Sequence, residues 1–123
     1  MRVALNEGGK ERVKAEWVFV NVGYRPGPLY IPGAEYVDLL DSTSIMESDV
    51  VPERVVVIGG RCVGLEFAQM FRRFGSRVTV MQGAGQLLGR EDGDVAEEIK
   101  KILHEDGIGI LFNSKADKLE RID

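Results

Sequence analysis

Two short apolar runs organise the middle of the chain. Val55-Val56-Val57-Ile58 is unbroken, and Val78-Thr79-Val80-Met81 repeats its character. Short β-branched runs of this kind predict buried strands. Between them Val63, Phe67, Met70, Phe71 and Phe74 recur at helical spacing, so a helix is expected over 63–74 with that stripe in the core. Gly75 ends it. A second stripe, Val95, Ile99, Ile102 and Leu103, predicts a helix from 92 or 93 to 106, closed by Gly107. Its other positions, Glu97, Glu98, Lys100, Lys101 and Glu105, form a charged, solvated face. Strand character returns at 108–112 and again at 115–122.

The region upstream is less regular. Residues 2–5 and 12–22 read as two strands around a turn at 6–10, a hairpin signal. The second strand becomes continuously apolar at Trp17, Val18 and Phe19, as if entering a core. Glycine and proline alternate through 23–33, which marks an irregular crossing segment. Asp41-Ser42 can cap a short helix over 43–47.

Strand, glycine turn, helix and second strand together make the βαβ unit of a dinucleotide-binding fold. The expected architecture is α/β: a Rossmann-like, three-layer βαβαβ half-domain with the N-terminal β-hairpin as an appendage. The glycine fingerprint G-x-G-x-x-G falls on Gly59, Arg61 and Gly64. Gly59 supplies the tight turn, where a β-carbon would clash, and Gly64 lets the helix pack closely on the sheet. The middle glycine, which lets the backbone approach a pyrophosphate, is replaced by Arg61. Its guanidinium either pairs with a phosphate or its stem occupies the volume the pyrophosphate needs. Both outcomes are open from sequence, with obstruction favoured.

The carboxylate expected about 20 positions further on is Gln82. A glutamine accepts one hydrogen bond and donates one, so recognition of a ribose diol is weakened rather than abolished. No cation follows Gln82 before Arg90, so the 2′-phosphate of NADP has no obvious partner. NAD is therefore the expected ligand, bound weakly, with NADP less favoured.

Composition narrows the setting. A chain of 123 residues with 44% hydrophobic residues can bury a core. A net charge of −4 and a pI near 5.1 argue against a nucleic-acid surface. No apolar run approaches a membrane span, and the first residues lack a signal-peptide core. A cytoplasmic setting is the default. One cysteine, Cys62, excludes an intrachain disulfide; at the start of the fingerprint helix it reads as a small, half-buried filler. His104, the one histidine, reads as a surface residue near a helix end.

These motifs, in this order, resemble the class I pyridine nucleotide-disulfide oxidoreductases, flavoproteins that include dihydrolipoamide dehydrogenase and mercuric reductase. The likeness is closest to the mercuric-reductase-like branch and covers nearly the whole chain. It rests on the segment around Asn21, Gly23 and Arg25, the Ile31-Pro32-Gly33 step, the turn at 57–60, Gly64-Leu65-Glu66-Phe67-Ala68, residues 74–80 and Arg90-Glu91-Asp92. The resemblance implies that residues 1–33 are the tail of an FAD-binding domain and 34–123 the N-terminal part of an NAD(P)-binding domain. It implies hydride transfer from a nicotinamide donor to FAD and then to a disulfide. It assigns Asn21, Gly23 and Arg25 to the flavin nucleotide. Gly59, Gly60, Arg61, Val63 and Gly64 fall to the dinucleotide, with Glu66 near the two reacting rings. The FAD fingerprint and the Cys-x4-Cys pair of that family are absent from this sequence. The chain is therefore expected to be part of a longer protein, not to retain FAD or to be catalytically competent alone, and to self-associate through exposed edges.

Overall fold

The computed structural model describes residues 1–19, 21, 23, 25–27 and 29–122. Its centre is a three-stranded parallel sheet, β3 (Arg54–Ile58), β4 (Arg77–Met81) and β5 (Gly109–Leu111), in spatial order β3-β4-β5. Helix α1 (Cys62–Arg73) connects β3 to β4, and α2 (Gly93–Glu105) connects β4 to β5. Register is fixed by pairing Arg54 with Arg77 through Ile58 with Met81, and Thr79 with Gly109 through Met81 with Leu111. The α/β class and the βαβαβ order are those expected.

Alternation along the strands decides which face is covered. Val55, Val57, Val78, Val80 and Ile110 point to one side and pack with Leu65, Ala68 and Phe71 of α1 and Leu103 of α2. Both helices lie on that face, as two right-handed crossovers running the same way require. Of the three expected layers, the described residues thus form two. Val56, Ile58 and Leu111 on the opposite face are 62%, 41% and 48% exposed. The 55–58 run is therefore a half-buried strand, with β4 as its one paired neighbour among the described residues.

Helix stripes are rotated slightly from the expected ones. In α1 the buried residues are Leu65, Ala68 and Phe71, flanked by half-buried Phe67 and Met70, while Val63 and Phe74 are exposed. In α2 they are Ala96 and Leu103, with Ile99 half-buried and Val95 and Ile102 exposed. Small Ala68 and Ala96 are buried, at 0% and 4% exposed, where a longer side chain would have to displace its neighbours.

Both helices end in the same way. Ser76 N–H reaches Phe71 C=O at 3.0 Å and Gly75 N–H reaches Arg72 C=O at 3.1 Å. Ile108 N–H reaches Leu103 C=O and Gly107 N–H reaches His104 C=O, both at 2.9 Å. These are paired Schellman motifs, and each requires its glycine in the left-handed region: Gly75 has φ 101° and Gly107 φ 76°. Arg72 also donates from Nε to Asp106 C=O at 2.8 Å, tying the end of α1 to the end of α2.

The antiparallel hairpin forms, but it is shorter than expected. Strands β1 (Arg2–Ala4) and β2 (Lys10–Arg12) flank a turn with Gly8 and Gly9 at positive φ. Residues 13–19 are not strand, and Trp17, Val18 and Phe19 are 74%, 57% and 90% exposed. The apolar run expected to enter a core has no element packed on it among the described residues. Segment 115–122 is likewise not a strand. One backbone bond, Leu119 N–H to Pro32 C=O at 2.8 Å, holds it against the chain.

The short helix expected at 43–47 is a 3-10 turn at Ser44–Glu47. Asp41 Oδ1 accepts from the N–H groups of Thr43 at 2.9 Å and Ser44 at 2.8 Å. Backbone bonds from Ser44 and then Thr43 hold its carboxyl below the usual carboxylate range. A carboxylate whose pKa is depressed on folding contributes stability that is complete above its unfolded pKa and lost as pH falls through the folded one. Acidification is expected to loosen this turn first. Amide exchange at Thr43 and Ser44 should accelerate at low pH, relative to β4 amides, in wild type but not in Asp41→Asn.

Candidate functional site

The carboxyl ends of parallel strands are where open α/β sheets bind ligands, and here that end carries the glycine turn. Gly59 leaves β3 with its N–H on Met81 C=O at 2.8 Å and φ 115°. A β-carbon there would meet nothing within 4 Å. The need for glycine is thus conformational and not the clash expected. Gly64 is the crowded position. A β-carbon on it would lie 2.4 Å from Gly59 O and 3.2 Å from Val57 Cγ1. That contact brings the first turn of α1 down onto β3, the role expected of the third fingerprint glycine.

Arg61 is the N-cap residue of α1, extended at φ −97° and ψ 172°, and its exposed side chain makes no capping hydrogen bond. The first intrahelical bond runs from Leu65 N–H to Arg61 C=O at 3.0 Å. The N–H groups of Cys62, Val63 and Gly64 therefore precede the helix ladder and have no intrahelical acceptor. No hydrogen bond to another group takes them up among the described residues. Together with the helix dipole they present a positive end to an anion. Cys62 itself is exposed, against the half-buried filler expected. In the first turn of α1, Gly64 and Leu65 face the sheet. Val63 and Glu66, like Cys62, are exposed.

Gln82 follows β4 immediately. Its Oε1 accepts from Gly60 N–H at 3.1 Å and its Nε2 donates to Gln86 C=O at 2.7 Å. The following loop is fastened to the same glycine: Leu88 N–H donates to Gly60 C=O at 2.9 Å, with Leu88 in the left-handed region at φ 48°. Leu87, 1% exposed, fills the space under Gly60, where a β-carbon would come within 2.5 Å of Leu87 Cδ2. Gln86 Nε2 donates to Glu91 C=O at 3.1 Å. The sequence reading missed Gln86 and Leu87. Their signal was faint: a Gln-x3-Gln spacing inside a glycine-rich loop.

The structure brings Gly59, Gly60, Arg61, Val63, Gly64 and Gln82 to one strand end, with Glu66 one turn further on. Asn21, Gly23 and Arg25 are exposed, and no hydrogen bond links them to the glycine turn among the described residues. Their neighbours Val20, Val22 and Tyr24, part of the same motif, lie outside the described residues. A groove of about 800 Å³ runs along the open edge of β3, lined by Leu39, Leu40, Val56, Val63, Gly64 and Phe67 among others. No group of three His, Cys, Asp or Glu side chains that could hold a metal ion occurs among the described residues. No helix among them is long and apolar enough to cross a membrane.

Comparison with known proteins gives the family. The pyridine nucleotide-disulphide oxidoreductase family matches residues 1–123. A mercuric reductase of Streptomyces lividans is 40% identical over 110 residues, which cover 89% of this chain and 23% of that protein. The probable pyridine nucleotide-disulfide oxidoreductase RclA of Escherichia coli is 35% identical over 120 residues, 97% of this chain and 27% of that protein. A structure of the latter, described as an HOCl-induced flavoprotein disulfide reductase in complex with Cu(II), superposes with a TM-score of 0.77 at 33% identity. The superposition covers 99% of this chain and 28% of that one. The chain thus spans about a quarter of the length of the relatives it matches.

Proposed function

This chain belongs to the pyridine nucleotide-disulphide oxidoreductase family, and on that premise we propose that its β3–turn–α1–β4 unit is the nicotinamide-dinucleotide site of a flavin-dependent reductase. The observation that carries the reading is the uncapped start of α1. Three N–H groups without intrahelical acceptors stand at a glycine turn that Gly64 seals onto Gly59. A diphosphate fits that donor set. Gly59 shapes the turn, Gly64 sets the depth of the helix, and Arg61 stands at its mouth. Bound there, a nicotinamide dinucleotide supplies hydride to the FAD of the complete protein. The chain's own share is to bind and orient it, with Glu66 on the side of the reacting rings.

The domain division follows from the same reading, with residues 1–33 closing the flavin domain and 34–123 opening the nucleotide domain. Asn21, Gly23 and Arg25 then serve the flavin nucleotide only in the full-length protein. NAD is preferred over NADP, because no cation follows Gln82 before Arg90. The proposal includes a cytoplasmic setting and self-pairing of isolated chains along the open edge and face of β3. A second reading, a weak nucleotide-binding or self-associating module without redox chemistry, draws on one observation. Arg61 replaces the glycine at the point of closest approach.

Titration calorimetry with NADH and NADPH separates these readings. Wild type should bind NADH weakly, with Kd of about 1 mM or above, and NADPH more weakly still. Arg61→Gly should tighten NADH by on the order of tenfold if the side chain obstructs the pyrophosphate. Micromolar binding by wild type that weakens in Arg61→Gly would instead make Arg61 a phosphate ligand. Absence of saturable binding by both proteins would remove the nucleotide reading.

A further inference from the structure

We infer that Gln82 acts as a positioning residue, holding the glycine turn and the loop after β4 as one unit, and that it influences a nucleotide through Gly60 rather than as a ribose ligand. The inference rests on the nucleotide-site reading above but can be tested apart from it. Its basis is that the side chain already has two backbone partners, Gly60 N–H at 3.1 Å and Gln86 C=O at 2.7 Å. The amide oxygen and the amide NH₂ each hold one backbone partner, and the two bonds fix the side chain's orientation between them. The two anchors lie on the two segments that frame the site, so the side chain bridges them.

Two further contacts converge on the same glycine. Leu88 N–H closes on Gly60 C=O from the loop side, so both backbone polar groups of Gly60 are taken. Leu87 packs beneath it and leaves no room for a β-carbon. Leu88 is held at φ 48°, a conformation that a branched side chain adopts only when its surroundings impose it. Loop and turn are therefore joined at Gly60, whose C=O is held by Leu88 and whose N–H is held by Gln82.

Glutamine is the side chain that can do this. A carboxylate at position 82 would still accept from Gly60 N–H, but it has no hydrogen to donate to Gln86 C=O and would face that oxygen at short range. Gln82→Glu should keep the turn and release the loop. Gln82→Leu should release both. A direct ribose role makes a different forecast, because it predicts no change in the protein before ligand is added.

The test uses the full chain, labelled with ¹⁵N. Amide exchange at Gly60 should be slow in wild type, accelerate by about tenfold in Gln82→Leu, and stay near wild type in Gln82→Glu. Leu88, by contrast, should exchange faster in both variants. Equal Gly60 rates in all three proteins would overturn the inference. In parallel, ADP and 2′,3′-dideoxy-ADP serve as probes. A positioning role predicts that Gln82→Leu weakens both by the same factor. Loss confined to ADP, with dideoxy-ADP unaffected, would make Gln82 a ribose ligand and overturn the inference. Failure of both probes to bind wild type would count against the nucleotide site alone, with the exchange rates still deciding the role of Gln82.

Discussion

Phe71→Ala is expected to destabilise the chain by about 3–5 kcal/mol, the range for removing a buried aromatic side chain. Phe71 is 3% exposed and lies at the centre of the cluster formed by α1, β4 and α2. It meets Phe74 edge to face, with ring centroids 6.2 Å apart. Its carbonyl also accepts the Ser76 N–H that closes α1, so the residue sits where the helix stops and β4 begins. Part of the loss is transfer free energy and part is the cavity left between two helices that cannot fully collapse. Phe74 is 60% exposed, and Phe74→Ala should cost about 1 kcal/mol or less. Urea unfolding followed by circular dichroism would measure both, and equal midpoints for the two variants would contradict the assigned core.

Gly64→Val should cost about 3 kcal/mol, the upper end for overpacking. The added β-carbon would be 2.4 Å from a backbone oxygen, that of Gly59. This oxygen has little freedom to retreat, because the Gly59 N–H is fixed on Met81 C=O at 2.8 Å. The Val57 side chain closes the other direction at 3.2 Å. Relief must come from lifting the first turn of α1 off β3, which also spoils the donor set at the helix start. Gly59→Ala acts by another route. Its β-carbon meets nothing, and the strain comes only from φ 115°. The two substitutions should therefore differ: Gly64→Val shifts amide signals through α1 and β3, while Gly59→Ala shifts mainly the turn.

Much of this was legible in the sequence because local and tertiary preferences agree there. The 54–82 unit has β-branched strands, a helical apolar stripe and glycines at the positions that need them, and every element formed within a residue or two of expectation. The helix ends were legible for the same reason, since Gly75 and Gly107 follow the last apolar turn directly. The exact buried face was not. Ala68 and Ala96 carry weak hydrophobic signal but are buried, whereas Phe74 and Ile102 carry strong signal and are exposed. Residues 13–19 misled because an apolar run specifies a strand only where something pairs with it, and here nothing described does. At the site, the glycines declared themselves, but the engagement of Gln82 did not. Its partners are a backbone N–H and a backbone carbonyl, and neither leaves a trace in residue type.

The proposed nicotinamide-dinucleotide site lies at the turn 59–64. The most direct measurement is an ¹⁵N chemical-shift titration of wild type with NADH up to about ten times its Kd. Shifts should concentrate at Gly59, Gly60, Arg61, Cys62, Val63 and Gly64, extend to Gln82, and leave the β1–β2 hairpin unmoved. Saturable binding whose shifts map elsewhere, or no shifts at all at the start of α1, would contradict the account.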